Sequence, residues 1–162
     1  MNFLVTALML VTIAGSTVAA ESDPAQMAAE VGFAGCDVFI RKTFEHALVS
    51  PDRRINISYF SETKVDSVTL TATFGPPGDT VFQAVTFTKK GPTCYSIMTA
   101  QTSKSGNCAE ILLKEDKNFS LVDTQGDVLW ARSDRGVRKF YRQVGAFCLV
   151  NFRLDKTSKD KS

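Results

Sequence analysis

The sequence predicts a mainly β domain. The expected form is an antiparallel meander of about eight strands, as a barrel or a strongly curved sheet, behind an N-terminal helical segment. Three observations carry this. From Arg54 onward, apolar and polar residues alternate with period two, the pattern of half-buried strands. Clusters such as Gly75-Pro76-Pro77-Gly78-Asp79 and Lys89-Lys90-Gly91-Pro92 interrupt that alternation and turn the chain. Every connection after Arg54 is short, which favours up-and-down neighbours over long crossovers.

The elements follow in order. Met1–Ala20 reads as a secretory signal peptide: an apolar run from Phe3 to Val11 ends in small residues, with Val18 and Ala20 suited to the −3 and −1 positions. No Lys or Arg precedes the run, and it is short for a membrane span. Residues 21–53 form the helical segment. Asp23-Pro24 is an N-cap followed by proline at the first helical position. Asp37 is expected to cap a second helix with Ile40, Phe44 and Leu48 on one face, although Val38-Phe39-Ile40 also suits a strand. Residues 54–154 form the β domain. Its strands are expected around Ile55–Tyr59, Ser67–Phe74, Val81–Phe87, Cys94–Ala100, Ala109–Lys114, Phe119–Asp123, Val128–Ala131, Val137–Val144 and Gly145–Phe152. Thr102–Asn107 reads as a polar loop. Cys148, Val150 and Phe152 on one face, with Phe147 and Leu149 on the other, predict a last strand buried on both sides. Residues 155–162 read as a polar, flexible tail.

Four cysteines, Cys36, Cys94, Cys108 and Cys148, follow the apolar N-terminus. An even count in an oxidising compartment implies two disulfides. Three connectivities exist; the preferred one is Cys94–Cys108, across a hairpin, with Cys36–Cys148 tying the helical segment to the last strand. Two sequons, at Asn56 and Asn118, mark surface glycosylation candidates in a secreted chain.

The sequence argues against most enzyme chemistries. The single histidine, His46, stands beside Glu45 without a nucleophile motif such as G-x-S-x-G. There is no C-x-x-C and no His/Cys cluster for a metal. Phosphate loops, dinucleotide fingerprints and calcium loops are absent, so no cofactor is implied. The carboxylates Asp52, Asp79, Asp116 and Asp127 fall in expected turns, where local hydrogen bonding explains them.

One stretch, Leu113-Lys114-Glu115-Asp116-Lys117-Asn118-Phe119-Ser120-Leu121-Val122-Asp123, followed by Gly126 and Leu129-Trp130-Ala131, resembles one repeat of the bulb-type mannose-binding lectins. Asp116 and Asn118 match the Asp and Asn of that family's sugar-reading strand. Lys114, Ser120 and Val122 replace its Gln, Val and Tyr, and no second copy occurs. The resemblance implies a carbohydrate-binding module; otherwise Trp130 is expected in the core. The gross plan is also similar to lipocalins, although their G-x-W is missing and the helix stands at the wrong end. That architecture implies a carrier of a small apolar ligand.

Charge is polarised along the chain. Residues 132–162 carry nine basic and three acidic side chains, a net +6, while residues 1–131 carry a net −4. Arg132, Arg135, Arg138, Lys139 and Arg142 are the candidate polyanion-binding residues, with Arg138, Phe140 and Arg142 on one strand face. The competing reading is an edge strand guarded by charge. The function expected is a secreted, non-enzymatic binding protein recognising an extracellular protein, a glycan or an anionic surface. A small-ligand carrier, a carbohydrate-binding module and a small secreted hydrolase are the alternatives. Neither nucleic acid nor a transmembrane span is expected.

Overall fold

The computed structural model describes residues 23–76 and 79–159. The signal-peptide reading of residues 1–20 lies outside the described residues, as does the end of the tail. Helix α1 (Pro24–Glu30) begins as its sequence dictates: the Asp23 side chain accepts from the Ala25 N–H at 2.9 Å, and Pro24 opens the first turn. In α2 (Asp37–Thr43) the expected cap Asp37 is instead the first helical residue, with Cys36 at the N-cap, and Arg41 pairs with Asp23 at 2.7 Å, tying the two helices together. The short α3 (Glu45–Leu48) continues past Phe44. Ile40 and Phe44 are fully buried one turn apart, so the apolar period selects helix over strand in this segment.

The strands are β1 (Arg54–Ser58), β2 (Ser67–Phe74), β3 (Val81–Lys90), β4 (Thr93–Ser105), β5 (Phe119–Gln125), β6 (Val128–Ser133), β7 (Arg138–Val144) and β8 (Phe147–Thr157). They form one antiparallel, eight-stranded sheet in the order β1-β2-β3-β4-β8-β7-β6-β5. The sheet is curved and does not close into a barrel. It is two four-stranded meanders joined through their last strands, leaving β1 and β5 as the free edges among the described residues. Across the join, Cys148 near the start of β8 faces Lys104 near the end of β4, and Cys94 near the start of β4 hydrogen-bonds with Ser158 just past the end of β8.

Several expectations are corrected here. Ala109–Lys114 is not a strand but lies in α4 (Cys108–Lys114). The Asn107 side chain caps it, accepting from the Ala109 and Glu110 N–H groups at 2.9 and 3.3 Å, and Cys108, Ile111 and Leu112 bury one side. This helix carries the chain across the sheet, so β5 does not follow beside β4. Thr102–Ser105, expected as loop, continues β4, because β8 supplies backbone partners along its whole length. Asp155–Thr157 likewise extend β8 rather than fraying. Only one face of β8 is buried, through Cys148 and Val150; Phe147 on the other face is exposed.

The disulfides are Cys36–Cys94 and Cys108–Cys148, not the expected pairs. The physical reason is the length of β4. A strand rises ~3.3 Å per residue, so Cys94 at the start of β4 and Cys108, just past its far end at the start of α4, lie far beyond the ~6 Å that a disulfide spans. Each bridge instead joins the start of a helix to the start of its own half's last strand. Two cores result. One packs α1–α3 on β1–β4 around Phe33, Phe44 and Phe87; the other packs α4 on β6–β8 around Tyr141 and Val150.

Candidate functional site

Strand parity sorts the sheet into two faces. One face buries Leu70, Val85, Ala100, Val150 and Tyr141 beneath the helices. No helix of the described residues lies on the opposite face. There, Arg132, Arg138 and Arg153 stand directly opposite one another on β6, β7 and β8. Adjacent strands lie ~4.8 Å apart, so three guanidinium stems occupy ~10 Å of sheet width. Like charges in this register repel. Arg153 is relieved by Asp155 at 3.2 Å, whereas Arg132 and Arg138 have no ion pair among the described residues.

The next register row holds Trp130, Phe140 and Asn151. The Trp130 and Phe140 rings meet edge to face, with centroids 4.5 Å apart and planes at 88°. Trp130 remains 40% exposed, so the core position expected for it is corrected. One row further, Arg142 lies between Val128 and Leu149 and pairs with Asp127 at 2.9 Å. That hydrogen bond holds the Asp127 carboxyl below its ordinary range. Asp123 and Asp155 are the acids on the strands of this face. An aromatic pair thus lies between arginines on an exposed surface.

The structure brings Arg132, Arg138 and Arg142 together, as the alternation of β7 implies. Arg135 is exposed in the turn Ser133–Gly136, off the strand face. Lys139 is separated from the group. Its parity places it on the helix-covered face, where its Nζ meets Asp116 at 2.6 Å and stands 4.2 Å from the Phe119 ring centroid. Arg153 was missed. It lies far from the cluster in sequence, and only strand register places it beside Arg138.

Asp116 closes the turn after α4. It accepts from Lys139 and from the Tyr141 hydroxyl, each at 2.6 Å. Burial opposes its ionisation, but the Lys139 and Tyr141 hydrogen bonds outweigh this and hold its carboxyl below the ordinary range. Burial, together with Asp116, pushes the Tyr141 hydroxyl well above its ordinary pKa. The sugar-reading strand of the lectin resemblance does not form. Lys114 ends a helix, Asp116 and Asn118 lie in a turn, and Asp116 is already engaged. Asn56 on β1 and Asn118 just before β5 are exposed at the two free edges of the sheet.

His46 is exposed on α3, 3.8 Å from Glu45. Among the described residues, no group of three or more His, Cys, Asp or Glu side chains is placed to hold a metal ion. None of the described helices is long and apolar enough to cross a membrane. Two cavities of about 470 and 500 Å³ lie on the helix side of the sheet, next to α2. The fold and face define a disulfide-bonded, open-faced antiparallel β protein. Comparison with family models, with curated proteins and with solved structures yields no match.

Proposed function

We propose that this protein is a secreted, non-enzymatic binding protein whose helix-free sheet face recognises an acidic polymer, with sulfated glycans as the best-fitting class. One observation carries the reading: Arg132, Arg138 and Arg153 stand in cross-strand register beside the exposed Trp130–Phe140 pair. Three aligned arginines repel one another when free, and a polyanion laid across β6–β8 removes that repulsion. Guanidinium groups suit planar, bidentate contact with sulfate or carboxylate, and an exposed indole offers a flat apolar surface to a sugar ring. The two disulfides accord with an oxidising compartment.

The test is retention on heparin resin against salt. Exposed charges are screened over about 8 Å at physiological ionic strength, so elution should depend steeply on salt. R132Q/R138Q should elute at clearly lower salt than wild type while melting at nearly the same temperature, since exposed charges contribute ~0–1 kcal/mol each to folding. Elution of both proteins at the same salt would end this reading; the expected edge-strand role is no alternative, because β7 lies between β6 and β8 and is not an edge.

A further inference from the structure

We propose that the cleft between the helical layers binds a single-chain amphiphile: an acyl chain with an anionic head group. The site lies on the face opposite the arginine row and does not depend on that row's function. Its origin is the way the two halves join. The helices α1–α3 cover the first meander and α4 covers β7 and the near part of β8. Between them the middle of the β4–β8 pair forms a groove, overhung on one side by Lys42 and Thr43 of α2 and Glu45 and His46 of α3. Met98 and Ala100 of β4 and Phe152 and Leu154 of β8 point into this gap, with Phe74 and Val81 closing one end. They floor a cavity of about 500 Å³, within the ~300–1,000 Å³ range of small-molecule sites.

The roof is fixed rather than free to collapse. Gln83, 5% exposed, donates from Nε2 to the Thr43 carbonyl at the end of α2 and to the Met98 sulfur, both at 3.1 Å. That side chain pins α2 above the groove. Lys42 and Lys156 line this cavity and the adjoining one of about 470 Å³, so both lysines stand at the neck between the two. Neither has a carboxylate partner among the described residues. Glu45 and His46 line the same cavity 3.8 Å from each other, and Asp37 lines the adjoining one. An apolar floor ending at two unpaired ammonium groups complements a hydrocarbon tail with a carboxylate or phosphate head. A neutral alcohol of the same length would fill the floor but leave the neck unanswered.

The test uses the full chain and a dansyl-labelled undecanoate as fluorescent probe. Wild type should raise its emission, and tetradecanoate or tetradecyl phosphate should displace it, whereas tetradecanol should compete poorly. Comparing the two anions identifies the head group. K42E/K156E should weaken probe binding by at least about tenfold. L154E, which places a charge in the floor, should abolish binding; retained heparin elution and melting temperature would show that this variant folds. R132Q/R138Q should bind the probe as wild type does, which separates this site from the open face. No emission rise, equal displacement by tetradecanol, or unchanged affinity in K42E/K156E would overturn the proposal, and the lysine variant decides even where L154E fails to fold.

Discussion

Replacing Asp116 with alanine tests the network that fastens the end of α4 to β7. The carboxylate is 14% exposed and Lys139 18%, while Tyr141 is fully buried. The substitution removes two hydrogen bonds to a charged group, each worth ~1.5 kcal/mol, and leaves the Tyr141 hydroxyl without its acceptor. A fully buried pair broken in this way costs ~3–5 kcal/mol, and partial solvent access lowers that. The expected loss is therefore about 2–3 kcal/mol, read as a lower urea midpoint at unchanged slope. D116N, which keeps an acceptor for Tyr141 but loses the ion pair, should cost about half as much. A pH arm adds an independent check. The folded-state pKa of Asp116 is depressed, so its contribution is complete above the unfolded value of ~3.9 and disappears as pH falls through the folded value. The stability difference between wild type and D116N should therefore shrink below pH ~4. A D116A midpoint corresponding to less than ~0.5 kcal/mol of destabilisation would show that the network adds nothing beyond solvation, and would refute the reasoning.

Tyr141 has a raised folded-state pKa, so its contribution holds below the unfolded value of ~10 and is lost as pH rises above it; alkaline titration of Y141F should show a shallower loss of stability than wild type. Non-reducing peptide mapping should find Cys36 joined to Cys94 and Cys108 to Cys148. Removing either bridge should cost about 4 kcal/mol in the chain-entropy treatment, because the loops span 58 and 40 residues. Gly75→Ala should lower the melting temperature: Gly75 has φ +103°, and an added Cβ would stand 2.4 Å from the Asp79 carbonyl oxygen. Light scattering that shows no difference between this variant and wild type on heating would contradict that backbone argument. Produced in a glycosylating secretory host, N56Q/N118Q should self-associate more than wild type in analytical ultracentrifugation, since the two sequons flank the unpaired edges β1 and β5.

Local patterns were legible wherever a single rule governed them. Asp23-Pro24 capped α1, the i, i+4 apolar pair Ile40 and Phe44 chose helix, and the alternation of Val68, Leu70 and Ala72 gave β2 its buried face. Ile111-Leu112-Leu113 was misread because a short apolar run fits both periods, and the Asn107 cap was the signal that would have settled it. Parity alone would have removed Lys139 from the arginine group, since it alternates with Arg138 along β7.

By itself, the sequence determined the β class, the turns, the four cysteines as bridge-formers and the basic C-terminal third, because periodicity, turn chemistry and composition are properties of neighbouring residues. Tertiary structure alone decided that the sheet stays open, that α4 reverses the order of the second meander, which cysteines meet, and that Arg153 stands beside Arg138. Those depend on register and crossover, which bring together residues that no local rule connects.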